Sequence, residues 1–374
     1  MATSDIPTML FDLGSYNIRA SLTTDEKPRF IIPSAFPTGE HDFEIDKPIP
    51  PECTPSFAIS DGEVDNEDRM TYLFASIFDS IFPSDQPEPI DLRVVLTNAP
   101  YPSKKHTSYI SQMTFEILQA DSIIMKPPAL YTLTQFSLPT CICVDVGFDV
   151  THIVPIQDNF VCSPAVMRST AAGSAVDLYV AVDHLQIENV TTWEQMERAR
   201  KIKEQVAVVA LNYEDEIEDP EKEFPCTCGE LLFNTPLFEL ATPEDQEPDE
   251  RVATLTEEPT VAALIKKSIE QCDLNMRGKL WQNIIVSGGS TKMKGFRERL
   301  LQDLTSISPS TITPKLRFPD DPSLAAWYGQ KLCINFSNSE PWFNRLEYEE
   351  DPEGVYRKFI QYGIADPNKG KTEK

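Results

Sequence analysis

The sequence predicts an α/β fold built on an internal duplication, and three observations predict it. Two apolar strand–turn–strand segments, Thr8 to Leu22 and Thr140 to Ile156, carry an aspartate at the same place, Asp12 and Asp145. Each aspartate stands two residues before a glycine, Gly14 and Gly147. A third apolar segment, Asn283 to Ser290, ends in Gly288-Gly289 and leads into a helix from about Gly295 to Leu304.

The first hairpin comprises Thr8-Met-Leu-Phe-Asp-Leu-Gly-Ser15 and Asn17-Ile-Arg-Ala-Ser-Leu22. The Pro-rich, acidic stretch from Pro33 to Pro55 holds no long helix. Thr71 to Phe82 has helical spacing, with Leu73, Phe74, Ile77, Phe78 and Ile81 on one face. Leu92 to Leu96 reads as a short buried strand and Thr107 to Leu118 as a second amphipathic helix. The second hairpin is Thr140-Cys-Ile-Cys-Val-Asp-Val-Gly-Phe148 and Val150-Thr-His-Ile-Val-Pro-Ile156. Acidic surface loops are expected over Glu214 to Glu223 and Glu244 to Arg251, with a hairpin between them, Phe224 to Phe238, turning at Cys228-Gly229. The polar end, 360–374, reads as frayed.

Chemically, an apolar strand delivers a carboxylate to its own tip, and the glycine beyond it lets backbone N–H groups approach an anion. Two such hairpins facing one another can hold the phosphates and cation of a nucleotide. A strand ending in Gly-Gly offers bare backbone to a flat ring or sugar.

Composition narrows the class. With 374 residues, 41% of them apolar, the chain makes two domains or one large two-lobed body. The 33 basic and 59 acidic residues leave a net charge of −26. Such charge repels nucleic acid and anionic membranes; it suits a basic protein partner, or simply solubility. The sequence shows no basic leader and no apolar run of about 18 residues, so a soluble intracellular protein with reduced thiols is expected. Cys141/Cys143 and Cys226/Cys228 are spaced by one residue, tighter than the two to four or so of zinc ribbons, so strand packing is expected of both pairs.

These motifs resemble those of the actin family. Asp12-Leu-Gly-Ser15 is similar to its first phosphate loop and Asp145-Val-Gly147 to its second. Ser268 to Arg277, with Leu280, Asn283 and Ser287-Gly-Gly289, resembles its adenosine-loop region. Val94 to Pro100, Lys203-Glu204 and the tail from Trp342 to Phe359 stay in register, so the likeness covers nearly the whole chain. The resemblance implies a two-lobed ATPase fold closing on ATP or ADP with Mg2+. One lobe would span 1–133 plus 325–359, with a reduced small subdomain near 34–65. The other would span 134–324, with a small subdomain near 174–255.

The implied nucleotide contacts are Asp12, Gly14, Ser15, Arg19, Asp145, Gly147, Gly173, Lys203, Glu204, Gly288, Gly289 and Ser290. Asp12 and Asp145 would face the metal through water. His152 matches a water-orienting histidine, although a strand histidine can equally be a packed core residue. Pro128 stands where actins carry the glutamine that positions the attacking water, and proline has neither side-chain amide nor N–H. Tyr16 and Asp149 replace glycines, Phe148 replaces an acidic residue, and Arg19 replaces a lysine. ATP binding without efficient ATPase activity is therefore expected.

The likeness also sets expectations for assembly. The stretch from Gly39 to Ile59 is shorter than the family's neighbour-binding loop, and Glu257 and Glu258 put charge where actins are apolar, so a homopolymer is not expected. A structural subunit of a multiprotein assembly is expected instead, with other protein subunits, among them actin or actin-related proteins, as partners. That assembly is cytoskeletal and cytoplasmic, dynactin-like or at a filament end. The alternatives are a nuclear chromatin-remodelling subunit and a conventional filament-forming ATPase.

Overall fold

Each duplicated hairpin becomes the centre of its own sheet. The computed structural model describes residues 6–361 apart from 39–43, 46, 84–90, 101, 244–245 and 337–341. In the first sheet the strands lie in the order Phe343–Asn344, Ser122–Lys126, Arg93–Thr97, Thr8–Leu13, Asn17–Leu22, Phe30–Pro33. In the second the order is Phe160–Val161, Thr151–Gln157, Cys141–Val146, Ile284–Ser287, Leu316–Arg317, with Met167–Ser169 also paired to Thr151–Gln157. The duplication extends to register. Thr8–Leu13 pairs antiparallel with its hairpin partner and parallel with Arg93–Thr97, and Cys141–Val146 does the same with Thr151–Gln157 and Ile284–Ser287. Asp12 lies opposite Arg19, and Asp145 opposite His152.

These central strands are apolar on both faces because both faces are covered. Met9, Leu10, Phe11, Ile142 and Val144 are fully buried. Against the first sheet, the helix Glu67–Ile81 buries Leu73, Phe74 and Ile77, and Phe74 stacks on Phe11 with ring centroids 4.4 Å apart. Burying each such side chain contributes about 2 kcal/mol. Helices Val261–Gln271, Leu274–Gln282 and Phe296–Ile307 cover the second sheet through Ile265, Leu280 and Leu300. The chain passes between the sheets through two helices, Pro128–Thr134 and Ala325–Phe336. On the second, buried Trp327 donates to Ser21 Oγ at 2.9 Å and Gln330 to the Phe11 carbonyl at 2.8 Å, so the crossover is fixed to the strand that bears Asp12.

The Pro-rich stretch is short strands, Ala35–Pro37 paired with Pro55–Phe57, followed by a tight hairpin, Ile59–Ser60 with Glu63–Val64. The predicted strands and helices lie close to their expected places, with shifted ends. Asn66 starts the first helix by accepting from Arg69 N, and Ser103 starts the second, Lys104–Gln112, which continues as a π-helical turn over Met113–Ile117. Residues beyond 361 lie outside the described residues, as do Gly39 to Phe43 of the expected loop.

The hairpin expected over Phe224 to Phe238 is wrong. Pro220–Glu230 is a helix, with Asp219 as its N-cap and Pro220 at its first position, and Thr235–Ala241 is a 3-10 helix. Gly229 is there for close approach, not for a turn: a Cβ would fall 2.1 Å from the Val208 carbonyl oxygen. Buried Glu230 holds the helix end by pairing with Arg299 at 2.6 Å. Neither acidic stretch is simply a loop, since Tyr213–Glu216 is a helical turn and Glu250–Glu257 a helix. Cys226 and Cys228 therefore sit on a helix, whereas Cys141 and Cys143 share a strand face with sulfurs 3.7 Å apart. Among the described residues no three His, Cys, Asp or Glu side chains form a group that could hold a metal ion, and no helix is long and apolar enough to cross a membrane.

His106, at the start of the second helix, accepts the Val64 N–H through Nδ1 at 2.9 Å and so ties down the tight hairpin. Burial pushes its pKa down to about 4, against the Glu63 carboxylate, which pulls it up. The unfolded imidazole takes a proton first, so this stabilisation is full above about pH 6.5 and is lost as pH falls towards 4. Denaturant midpoints measured between pH 7 and 4 are expected to show a loss on the order of 2 kcal/mol, and His106→Gln to flatten that fall.

Candidate functional site

The two aspartate-tipped hairpins open onto one cleft between the sheets, of about 840 Å³. Asp12, Gly14, Ser15, Arg19, Asp145, Gly147, His152, Gly173, Lys203, Glu204, Gly288, Gly289 and Ser290 all line it. So do Tyr16, Pro128 and Phe148. The strand pattern explains the convergence: each hairpin strand ends at its carboxylate, and the turn beyond is closed by its own backbone. Gly14 N donates to the Asn17 carbonyl at 3.2 Å and Gly147 N to that of Val150 at 3.0 Å.

The carboxylates share one cation. Arg19, opposite Asp12 in the hairpin, places Nη1 3.1 Å from Asp12 Oδ2, and the Thr97 hydroxyl also faces that carboxylate. Burial raises the Asp12 pKa, and Arg19 and Thr97 only partly counter it. Asp145 is pushed up to about 6, first by burial, then by the nearby Asp12 charge, against the Ser287 hydroxyl bonded at 3.0 Å and the Arg19 charge. Two carboxylates against one guanidinium leave an excess of negative charge, which suits a divalent cation.

On the strand beside Asp145, Gly288 has φ +97°, and a Cβ there would lie 2.3 Å from the Val146 carbonyl oxygen, while beside Gly289 there is open space. This is bare backbone of the kind a ring or sugar packs on. Lys203 is buried on the helix Trp193–Val206, which Thr192 and Gln195 start with a capping box. Its Nζ lies 2.7 Å from Asp177 Oδ1 and 2.9 Å from the Gly173 carbonyl oxygen. Lys203 is thus neither a surface residue nor free to reach a ligand without leaving Asp177. Glu204 is exposed beside the cleft and pairs with Arg200 at 2.6 Å.

The remaining positions have changed chemistry. Pro128 is the first residue of the crossover helix and presents only a ring to the cleft. His152 is held neutral, its pKa pushed down to about 4 by burial and by Arg168 across the strand pair. The sequence reading missed Thr97 and Ser287, which bond the two aspartates from the neighbouring parallel strands. Strand-end alignment marks them: Thr97 and Ser287 each end the strand beside an aspartate-bearing one.

The actin family model matches residues 3–225 and 221–360. The chain belongs to the actin family. That membership covers nearly all of the described chain, and the two sheets of this α/β protein are those of the actin-like fold. For an adenine nucleotide, the backbone at Gly288 and Gly289 and the excess charge at Asp12 and Asp145 fit adenosine and a cation. The turn at Phe148 and Asp149 does not fit a polyphosphate, because it brings in a ring and a carboxylate.

If Lys203 is chiefly the counter-charge of Asp177, removing it strands a buried carboxylate. Lys203→Met is expected to cost about 3 kcal/mol in urea unfolding, and the double variant with Asp177→Leu to recover most of that.

Proposed function

We propose that this actin-family protein is a structural subunit of a multiprotein cytoskeletal assembly that holds an adenine nucleotide but turns it over weakly or not at all. The observation that carries the reading is Pro128 at the first turn of the crossover helix, facing the cleft without an amide to aim water. Gly288, Gly289 and Ser290 would back the adenosine, with Lys203 and Glu204 beside it. Asp12 and Asp145 would hold Mg2+ through its water. The bound cation would neutralise phosphate charge. Asp12 would remain anchored by Arg19, and neutral His152 would lack an amide partner across the cleft. Positioning and charge stabilisation supply most of the rate in phosphoryl transfer, so the loss of a water-aiming group falls on turnover.

Partners would be other protein subunits, among them actin or actin-related proteins, in the cytoplasm. The net charge of −26 argues against direct nucleic-acid contact. Homopolymer formation is disfavoured by the short Pro-rich stretch and by exposed Glu257. Glu258 gives less support than the sequence suggested, since it turns inward to accept from the Thr170 N–H and hydroxyl at 3.3 and 3.1 Å.

Phosphate release and pelleting, run beside a conventional actin, test the reading. Release slower by on the order of tenfold or more, with the protein left in the supernatant, is expected. Brisk release coupled to pelleting would mark a filament-forming ATPase and overturn it. Affinity purification of tagged protein with mass spectrometry, paired with imaging, is expected to recover cytoskeletal subunits. Recovery of chromatin-remodelling subunits from nuclei would favour the nuclear alternative, and recovery of its own copies alone would refute the subunit role.

A further inference from the structure

The space between the two phosphate loops is crossed by the protein's own side chains. Tyr16, at the tip of the first hairpin, donates its hydroxyl to Glu197 Oε1 on the facing lobe. Its ring meets Phe148 of the second loop at 4.8 Å, Trp193 lies near-parallel at 6.3 Å, and the Arg200 guanidinium covers it at 4.8 Å. Phe148 in turn meets Phe57, on the short strands of the first lobe, at 6.0 Å. Burial and the Glu197 carboxylate hold the Tyr16 phenol far above its usual range, so its proton stays in place.

A second connection is charged. Asp149 of the second loop lies beside Arg251, Ser174 and the first loop's Ser15; burial raises its pKa, and Arg251 and the two hydroxyls only partly counter that. Ser15 is one of the groups expected to meet phosphate, and a carboxylate of the same chain already lies beside it. Arg19 likewise gives Asp12 a built-in cation. A third connection is backbone: Trp193 N and Glu194 N, opening the helix that carries Glu197, donate to the Cys53 and Pro51 carbonyls of the first lobe, both at 2.9 Å.

We propose that Tyr16, Phe148 and Asp149 form an intramolecular lock that closes the cleft without nucleotide and sets its ligand class, admitting adenosine or a short-phosphate ligand ahead of a triphosphate. The proposal rests on the adenine site proposed above and specifies what that site accepts. An adenosine moiety needs only the backbone at Gly288 and Gly289, which the lock leaves free. A polyphosphate must part Tyr16 from Glu197 and meet the Asp149 carboxylate beside Ser15. Its apparent affinity falls by the fraction of molecules in which the lock stands open.

The test uses full-length protein stripped with EDTA and phosphatase. Binding of adenosine, MgADP and MgATP is measured by calorimetry, and thermal unfolding is followed through tryptophan fluorescence. Wild type is expected to keep a single cooperative unfolding transition after stripping and to bind adenosine at least as tightly as MgATP. Tyr16→Ser with Asp149→Gly is expected to bind MgATP about tenfold or more tighter than wild type, and adenosine within about twofold of it. Where that double variant fails to fold, Tyr16→Phe and Asp149→Asn singly are expected to shift the same ratio in the same direction. A wild type that no longer folds after stripping, or binds MgATP tenfold tighter than adenosine, overturns the lock. Absence of adenine-ligand binding in every variant refutes the adenine site and the ligand preference with it. The lock's closing role is judged separately, from stripped wild type against Tyr16→Phe, whose melting temperature is expected to be lower. No difference between them would overturn it.

Discussion

Two carboxylates at the tips of duplicated strands, with one guanidinium between them, set the conditions for the rest of this molecule. Asp12 and Asp145 are brought to one cleft by strands whose apolar sides leave no other direction for their ends. Burial penalises their ionised forms, and each charge disfavours the other, so the cleft tolerates them only with a cation at hand. Arg19 supplies that cation from the same hairpin as Asp12, directly across the strand pair. Being arginine, it offers a planar fork of donors in place of a single ammonium. The electrostatic balance of the cleft is therefore largely internal, and a bound ion adds to it instead of creating it.

Closure follows the same pattern. The second crossover helix is fixed to the Asp12 hairpin through Trp327 and Gln330, so a change in lobe angle must be accommodated near the cleft floor. At its mouth, the short strands of the first lobe meet the capped helix Trp193–Val206 of the second through backbone bonds and a buried cluster containing Cys53, Ile49 and Trp193. An apolar contact of this kind is insensitive to salt and to nucleotide state, unlike a bridge made by phosphate and cation.

Much of this was legible in the sequence, and what was not has identifiable causes. The hairpins, their aspartates and the Gly288-Gly289 strand end could be read because each is a local pattern in which the spacing of apolar residues and glycine dictates geometry. Family resemblance then placed thirteen residues that do line one cleft. The region from Phe224 to Phe238 failed because Cys228-Gly229 has the composition of a turn, while the reason for the glycine is the Val208 backbone pressed against it. Lys203 was read as a ligand residue, and its buried partner Asp177, on another helix, could not be seen from its neighbours in sequence. The Tyr16–Glu197 bond spans 181 residues, so no local rule reaches it.

That last contact changes the meaning of the substitutions around the phosphate loops. Taken one at a time, Tyr16, Phe148, Asp149 and Pro128 look like independent losses from a nucleotide-hydrolysing site. In three dimensions the first three lie together: the Tyr16 ring packs on the Phe148 ring, and the Asp149 carboxylate sits beside the Ser15 hydroxyl, which would otherwise face an anion alone. A site decaying at random leaves unpaired polar groups and voids, both of which cost stability. Here Tyr16 and Phe148 close on each other across the lobes, while Arg19 Nε and Asn98 Oδ1 of the same cleft are buried without a partner among the described residues. The ring contact favours a closed cleft, and the unpartnered groups leave polar positions in it for water or a ligand to meet.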